Sequence, residues 1–304
     1  MSEVSRSTLL VLGSSGFLGA HLVRAGAERF ERVFAACRHP ERHPVALPQN
    51  ARSVVWEGHK AIENVRLFSN TQPTGVIVAA AMSRMADCER EPDAAREING
   101  AMPGGLARLA RSYGARIVHV SSDLVFGGAP PRGERYVTED PPHPLSVYGQ
   151  SKAEGEERVL QANPDALVCR LPLLYGDSFG RGLGASDALV AALGRDETPT
   201  LFTDEWRTPL EVSEAATALV ELCLGDACGL LHVAGPERVS RAQLARAILR
   251  QRGDDDDAIA QAIREGVRAD RGLERVRPAD VSLEASAASA LLASPLRGVS
   301  DVLG

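Results

Sequence analysis

The chain is predicted to be an α/β protein, built on a doubly wound parallel sheet with a smaller C-terminal α/β substrate domain. Three observations carry this. Short, continuous apolar runs alternate with amphipathic stretches up to residue 120, as strands buried on both faces alternate with covering helices. The first run, Thr8-Leu9-Leu10-Val11-Leu12, leads into Gly13-Ser14-Ser15-Gly16-Phe17-Leu18-Gly19 and then an amphipathic segment to about Arg29. Beyond Leu171 the rhythm changes, and 304 residues suggest about two domains.

Taken in order, strand, Gly-x-x-Gly-x-x-Gly and helix form the context in which a glycine pattern reads as a dinucleotide-binding (Rossmann) turn. Gly13 permits the tight turn, Gly16 lets backbone N–H groups approach a pyrophosphate, and Gly19 allows close helix–strand packing. Val33 to Cys37 is a second strand, followed by Arg38-His39 with no carboxylate until Glu41. An arginine there can pair with a 2′-phosphate, so NADP(H) is favoured over NAD(H); the plainer reading leaves Arg38 in solvent. Ser53 to Trp56 and Gly75 to Ala80 read as the third and fourth strands, the latter closing on Ala79-Ala80-Ala81. These small residues suit a cofactor lying against the backbone.

A helix is expected from about Pro92 through Ala110, with Asn99 in its middle, and a fifth strand at Ile117 to Val120 ending in Ser121-Ser122-Asp123. In such sheets ligands sit at the carboxyl ends of the strands, which puts Ser122 on the same rim as the glycine turn. Gly127 to Pro144 is a Pro/Gly-rich loop suited to a substrate-site wall. A helix from Tyr148 to about Gln161 and a sixth strand, Leu167 to Leu171, follow. Then come a glycine-rich segment (Gly176 to Gly184), a helix at Ser186 to Leu193, a loop at Thr203 to Leu210 and a helix at Glu211 to Leu224. Leu230 to Ala234 is a further strand and Arg241 to Gln251 a helix. The acidic run Asp254 to Asp257 reads as a solvated helix cap rather than a metal site. The corresponding division is residues 1–170 with about 205–228 for the dinucleotide, and about 171–204 with 229–304 for the substrate.

Composition excludes several classes. A net charge of −6 disfavours nucleic acid or an anionic membrane as partner. The stretch Met1 to Arg6 is short and polar, unlike a signal peptide, and no apolar stretch is long enough to span a bilayer. The five cysteines, Cys37, Cys88, Cys169, Cys223 and Cys228, are scattered, mostly inside apolar runs, and read as reduced core residues of a cytoplasmic protein, without metal-ligand spacing.

Of 34 basic residues only Lys60 and Lys152 are lysines. Lys152 stands four positions after Tyr148, so the two share one face of a helix. A lysine kept where the chain otherwise writes arginine suggests a need for a compact ammonium of tunable pKa.

These pieces together resemble the extended short-chain dehydrogenase/reductase family, and its dTDP-4-dehydrorhamnose reductase-like branch of nucleotide-sugar enzymes. The likeness rests on the Gly13–Gly19 turn, Ala79-Ala80-Ala81, Cys88-Glu89 leading to Asn99, Ser121 through Gly127, Tyr148-Gly149-Gln150-Ser151-Lys152, Arg170 through Gly176, Arg207-Thr208-Pro209 and Arg277 through Leu283. The resemblance implies Tyr148 as catalytic acid, Lys152 as its partner and Ser122 as third member of a triad. A free tyrosine has a pKa of about 10, and a nearby ammonium lowers it toward the working range of acid–base catalysis. It further implies a cofactor site of Gly13, Ser15, Gly16, Phe17, Leu18, Gly19, Arg38, Ala79, Ala80, Ala81, Asn99, Tyr148 and Lys152. Met82, Asp123, Leu173 and Arg207 are expected to border a nucleotide-sugar substrate. Met82 and Leu173 stand where tyrosine and an aromatic residue are usual in the branch, which opens the identity of the sugar nucleotide. Asp123-Leu124 lacks the Asp-Glu pair of a 4,6-dehydratase, Arg38 replaces the acidic residue of a 4-epimerase, and Asp123 sits where a GDP-fucose-type epimerase–reductase has cysteine. The same branch contains non-catalytic, NADP-binding regulatory subunits like that of methionine adenosyltransferase. By analogy with extended members, two copies would pair through the helices around Asn99 and Tyr148.

Overall fold

A computed structural model of the protein describes residues 7–58, 60–131 and 133–304; the stretch Met1 to Arg6 lies outside the described residues. The chain divides into two compact units. The first comprises Met1–Ser121, Ser151–Cys169 and Ala216–Leu231, the second Ser122–Gln150, Arg170–Ala215 and His232–Gly304.

The first unit is organised by a seven-stranded sheet. Its strands are β1 (Thr8–Leu12), β2 (Arg32–Cys37), β3 (Ala51–Val55), β4 (Gly75–Val78), β5 (Arg116–Ser122), β6 (Leu167–Leu171) and a final strand, Gly229–His232. The spatial order is β3-β2-β1-β4-β5-β6 and then the final strand, and every pairing among β1 to β5 is parallel. The order reverses between β1 and β4, the position at which a doubly wound sheet opens a crevice for a ligand. All five residues of β1 are buried, which is why its sequence is an unbroken apolar run. Edge strand β3 exposes most of its residues. Leu10, Leu12, Val76, Val78, Ile117 and Val168 of the sheet meet Phe68 and Leu106 of the helices in one core. Burying each such side chain contributes about 1.5–3 kcal/mol.

Helix α1 (Phe17–Arg29) follows the glycine turn as expected. Helix α2 (Ala61–Thr71), which the sequence reading passed over, covers the sheet through Leu67 and Phe68. Short helices α3 (Met85–Arg90) and α4 (Pro92–Ala95) come next.

The expected single helix over Pro92 to Ala110 needs correction. The backbone is helical, but Arg96–Ala101 forms a π-turn before α5 (Met102–Ser112). Pro103 has no N–H to give the Asn99 carbonyl and its ring would crowd that oxygen, so the α-ladder opens there. Helix α6 (Val147–Ala162) crosses at the same point. A β-carbon on Gly155 would stand 2.2 Å from the Asn99 carbonyl oxygen, so only glycine admits the crossing.

Several boundaries also shift. The fourth strand stops at Val78, leaving Ala79 to Ala81 as coil; the third covers Ala51–Val55; and the strand expected at Leu230 to Ala234 is Gly229–His232.

The second unit packs α7 (Gly184–Leu193), α9 (Arg241–Gln251) and α10 (Asp256–Ala262) around a core of Tyr175, Leu189, Leu244, Ile248, Leu249 and Ile259; α8 (Val212–Leu224) begins in this unit and ends in the first. Ser240 and Gln243 form a capping box on α9. The acidic run is a helix cap, as read: the Asp255 carboxylate accepts the Ala258 N–H at 2.9 Å.

The expected loop over Thr203 to Leu210 contains two short strands instead. Trp206–Arg207 pairs antiparallel with Val239–Ser240, and Leu210–Glu211 pairs parallel with Leu174–Tyr175. Two-residue strands carry no periodicity of their own, and their partners lie far along the chain. The Gly127 to Pro144 loop is irregular but anchored within this unit. The Tyr136 hydroxyl accepts the N–H groups of Gly128 and Ala129, the Tyr136 ring stacks on Phe126 at 3.9 Å, and its N–H donates to Ser282 O at 2.8 Å.

Candidate active site

In the first unit, the glycine turn and the end of β4 are locked together. Gly13 has a φ of +89°, and a β-carbon on it would lie 2.6 Å from Ala80 N. One on Gly19 would lie 2.1 Å from the Gly13 carbonyl oxygen, so α1 rests directly on the turn. Two glycines are thus required by contact. The first-turn N–H groups of α1, starting after Gly16, have no intrahelical acceptors, and the helix N-terminus is electropositive. The Ser14 hydroxyl is buried in the turn and has no partner among the described residues. A backbone cradle with a donor-rich helix start and a spare hydroxyl fits a pyrophosphate.

Arg38, directly after β2, is exposed. The nearby carboxylate of Glu41 pairs with His39 at 3.2 Å and Arg42 at 3.9 Å, and no ion pair ties Arg38 among the described residues.

Asn99 is wholly buried in the π-turn. Its carbonyl oxygen accepts the Met82 N–H at 2.9 Å, while its amide donates to Met82 O and to the Ser151 hydroxyl, each at 3.0 Å. Asn99 therefore holds the segment after β4 from behind, and Met82 is anchored through its backbone. Cys88 adds a thiol contact to Met82 O at 3.2 Å.

Lys152 is 2% exposed. Its ammonium donates to Val120 O at 2.6 Å and approaches His119 Nε2 at 3.4 Å. Burial lowers its pKa to about 8, against a smaller opposing pull from Glu156. Glu156 is buried too and accepts the Ser121 hydroxyl at 2.5 Å.

In the second unit, Ser122 ends β5. Its hydroxyl accepts the Leu124 N–H at 3.2 Å and donates to Asp123 Oδ1 at 3.1 Å, capping a short 3-10 turn. Gly149 fits against this turn: a β-carbon there would lie 2.2 Å from Leu124 O. The Ser146 hydroxyl accepts the Gly149 N–H at 3.1 Å and so caps α6. Half-buried Tyr148 directly precedes Gly149 in the first turn of α6. Along α6, Lys152 follows Tyr148 by four residues, about one helical turn.

The second unit also buries a chain of charges that sequence reasoning found only in part. Arg207 lies 3.8 Å from the Asp123 carboxylate and 3.1 Å from Glu205, which Arg277 grips at 2.8 and 3.1 Å. Burial pushes the Asp123 carboxyl up, against the pull of Arg207 and Ser122. Burial also acts upward on Glu205, but Arg207, Arg277 and Arg241 together hold it below its ordinary value. Arg241 is driven down to about 10 by burial, with Glu205 opposing. Asp123 Oδ2 and an Arg207 terminal nitrogen are buried without a hydrogen-bond partner among the described residues. Glu205 and Arg241 escaped the sequence reading because no spacing rule joins residues 205, 241 and 277. Leu173, expected beside the substrate, packs against the Tyr175–Leu189 core of this unit.

Comparison with known proteins agrees with this architecture. Residues 7–301 match the family described as RmlD substrate binding domain. The chain is 31% identical over 281 residues to the "Probable low-salt glycan biosynthesis reductase Agl14" of Haloferax volcanii, covering 91% of this chain and 89% of that one. It is 31% identical over 257 residues to the dTDP-4-dehydrorhamnose reductase of Mycobacterium tuberculosis, covering 83% and 77%. It is also 35% identical over 184 residues to methionine adenosyltransferase 2 subunit beta of Bos taurus, a match spanning 58% of this chain and 54% of that protein. The crystal structure of dTDP-4-dehydrorhamnose reductase from Bacillus anthracis in complex with NADP shares the fold, with a TM-score of 0.79 at 20% identity over 98% of this chain and 97% of that one. With a seven-stranded doubly wound sheet and a family match over nearly its whole length, the chain belongs to the RmlD substrate binding domain family.

Proposed function

We propose that this chain is an NADPH-dependent reductase of a keto group on a nucleotide-activated deoxysugar, of the 4-keto-reductase type. The observation that carries the reading is the Gly13–Ala80 contact at the sheet's switch point, a pyrophosphate cradle in a chain similar to curated reductases. Residues 1–170 with about 205–228 bind the dinucleotide on this reading, and the remainder binds the sugar nucleotide.

Gly13, Ser15, Gly16, Phe17, Leu18 and Gly19 hold the pyrophosphate, Arg38 the 2′-phosphate, and Ala79 to Ala81 face the cofactor. Asn99 supports that segment. When bound, the reduced nicotinamide supplies a hydride to the ketone carbon. Tyr148 donates its phenolic proton to the ketone oxygen, so that a hydroxyl is formed, and the phenolate recovers a proton from solvent. Lys152, one turn along α6, stabilises that phenolate and holds ribose hydroxyls. Ser122 orients the ketone oxygen, exchanging its bond to Asp123 for one to the substrate. Asp123, Arg207, Met82 and Leu173 border the sugar nucleotide.

No helix among the described residues is long and apolar enough to cross a membrane, and the five cysteines are free thiols, four of them buried as expected and Cys228 exposed instead. Both suit the cytoplasmic setting we assign. Pairing of two copies through α5 and α6 is part of the reading. A surface groove of about 1060 Å³ there is lined by Gly104, Gly105, Arg108 and Glu157. Light scattering of the purified chain checks it.

The deciding experiment follows NADPH oxidation with a panel of nucleotide 4-keto-sugars. Turnover with one of them, abolished in Tyr148→Phe, supports the reductase. Tight NADPH binding with no turnover across the panel overturns it for those substrates. That outcome favours a non-catalytic regulatory subunit, the reading to which the 35% identity with methionine adenosyltransferase 2 subunit beta points.

A further inference from the structure

Strand β5 and helix α6 meet in two stacked contacts inside the first unit. Residues 119 and 121 fall on one face of β5 because strand side chains alternate. They meet Lys152 and Glu156, which share a face of α6 at i, i+4. His119 lies under the ammonium and the Ser121 hydroxyl donates to the Glu156 carboxylate. A β-carbon on Gly155 would be 3.5 Å from His119 Nε2, so the imidazole fills the space beneath the helix.

His119 is wholly buried, and its Nδ1 has no hydrogen-bond partner among the described residues. A buried polar atom left alone calls for an explanation. Lysine ammonium has three donors and no acceptor. One proton goes to Val120 O at 2.6 Å, and Nε2 at 3.4 Å can take a second only if it carries the lone pair. The proton of the neutral ring then sits on Nδ1. If Lys152 loses a proton, the ring can reverse its tautomer and donate from Nε2 to the amine. An uncharged imidazole can thus serve both protonation states of the lysine, but its bond from the charged ammonium is the stronger of the two. Burial, and then the charge of Lys152, hold His119 neutral, well below its ordinary pKa. Of the other groups packed here, Glu156 carries charge that acts on Lys152, whereas Ser121, Ser151 and Asn99 do not titrate in the working range.

We propose that His119 is a positioning residue for Lys152: its neutral ring holds the ammonium against Val120 O and favours the charged form of the lysine. The consequence for catalysis rests on the reductase reading; the titration does not.

The test uses the full chain labelled at lysine Cε with carbon-13. Only Lys60 and Lys152 contribute, so two resonances are followed against pH. Replacing the ring by an apolar side chain, His119→Phe, removes an acceptor of a charged donor. The Lys152 transition is expected to fall by about one pKa unit. His119→Gln, which restores an amide oxygen, is expected to recover most of the shift. The basic limb of the kcat–pH profile should move with the titration, while the KM for sugar stays within about twofold. Should His119→Phe fail to fold, His119→Met against His119→Gln provides the same comparison. An unmoved Lys152 transition in a folded apolar variant overturns the proposal, whatever the activity. A shifted transition without turnover of any 4-keto-sugar leaves the proposal standing and counts against the reductase reading.

Discussion

Asn99 and Met82 are joined by a reciprocal pair of hydrogen bonds, Met82 N–H to Asn99 Oδ1 at 2.9 Å and Asn99 Nδ2–H to Met82 O at 3.0 Å. A side chain in a π-turn thereby behaves as a strand partner for the backbone that follows β4. Asn99→Leu would leave the Met82 N–H and carbonyl without that partner, together with the Ser151 hydroxyl. The Met82 carbonyl keeps the Cys88 thiol, so the loss falls mainly on the Met82 N–H, an orphaned group of this kind costing about 1–3 kcal/mol. Destabilisation of about 1–3 kcal/mol and a raised KM for NADPH are expected, measured by urea unfolding and initial rates. Full stability in this variant would show that the clamp is incidental.

Lys152 makes stability depend on pH in an unusual direction. Its folded pKa of about 8 lies below the roughly 10.4 of an unfolded lysine. From pH 8 to 10 the unfolded chain therefore binds more protons, and stability rises with pH across that window. The full penalty, about 3 kcal/mol, is present below pH 8. Lys152→Met should lack this rise. Urea midpoints of both proteins at pH 7 and pH 9.5 test it, and parallel slopes would refute the lowered pKa. The same variant is expected to lose reductase activity.

Arg38 is exposed, and the neighbouring Glu41 is engaged by His39 and Arg42. On the proposed reading Arg38→Ala loses a charge-assisted bond to the 2′-phosphate, worth about 1.5–3 kcal/mol. The preference for NADPH over NADH should fall by roughly 10- to 150-fold, by the tenfold-per-1.4 kcal/mol relation. Unchanged relative affinities in titration calorimetry would remove Arg38 from the site.

Arg207 is the cation between Asp123 and Glu205, and all three are buried. Arg207→Leu leaves Asp123 without its countercharge, a change of the kind that costs about 3–5 kcal/mol. Burial already raises the Asp123 carboxyl, and loss of Arg207 raises it further. Since a protonated Asp123 needs no cation, the destabilisation should be smaller at pH 5 than at pH 8. A loss independent of pH would argue that Asp123 is not the group affected. The KM for sugar nucleotide should rise while that for NADPH is preserved.

Much of the scaffold was legible because its signals are local. The buried run of Thr8 to Leu12, the glycines that follow and the acidic cap before α10 each declare themselves within a few residues. The short pairings of Trp206–Arg207 and Leu174–Tyr175 were not legible, since two residues show no alternation. Nor was the π-turn, where Pro103 and the crossing at Gly155 act together across 52 residues of sequence.

By itself the sequence determined the alternation of strands and helices over the first 120 residues, the glycine turn and the Tyr148–Lys152 pair on one helix face, while Ser122 joined them as a candidate through family resemblance. The first three follow from periodicity, from backbone conformations open only to glycine, and from residue chemistry at short spacing. Tertiary structure alone decided what surrounds them. It buried Lys152 over His119, turned Asn99 toward the Met82 backbone, and linked residues 123, 207, 205 and 277 in one charged chain. Such relations depend on burial and on contacts between distant segments, and their energies arise only when water has been excluded.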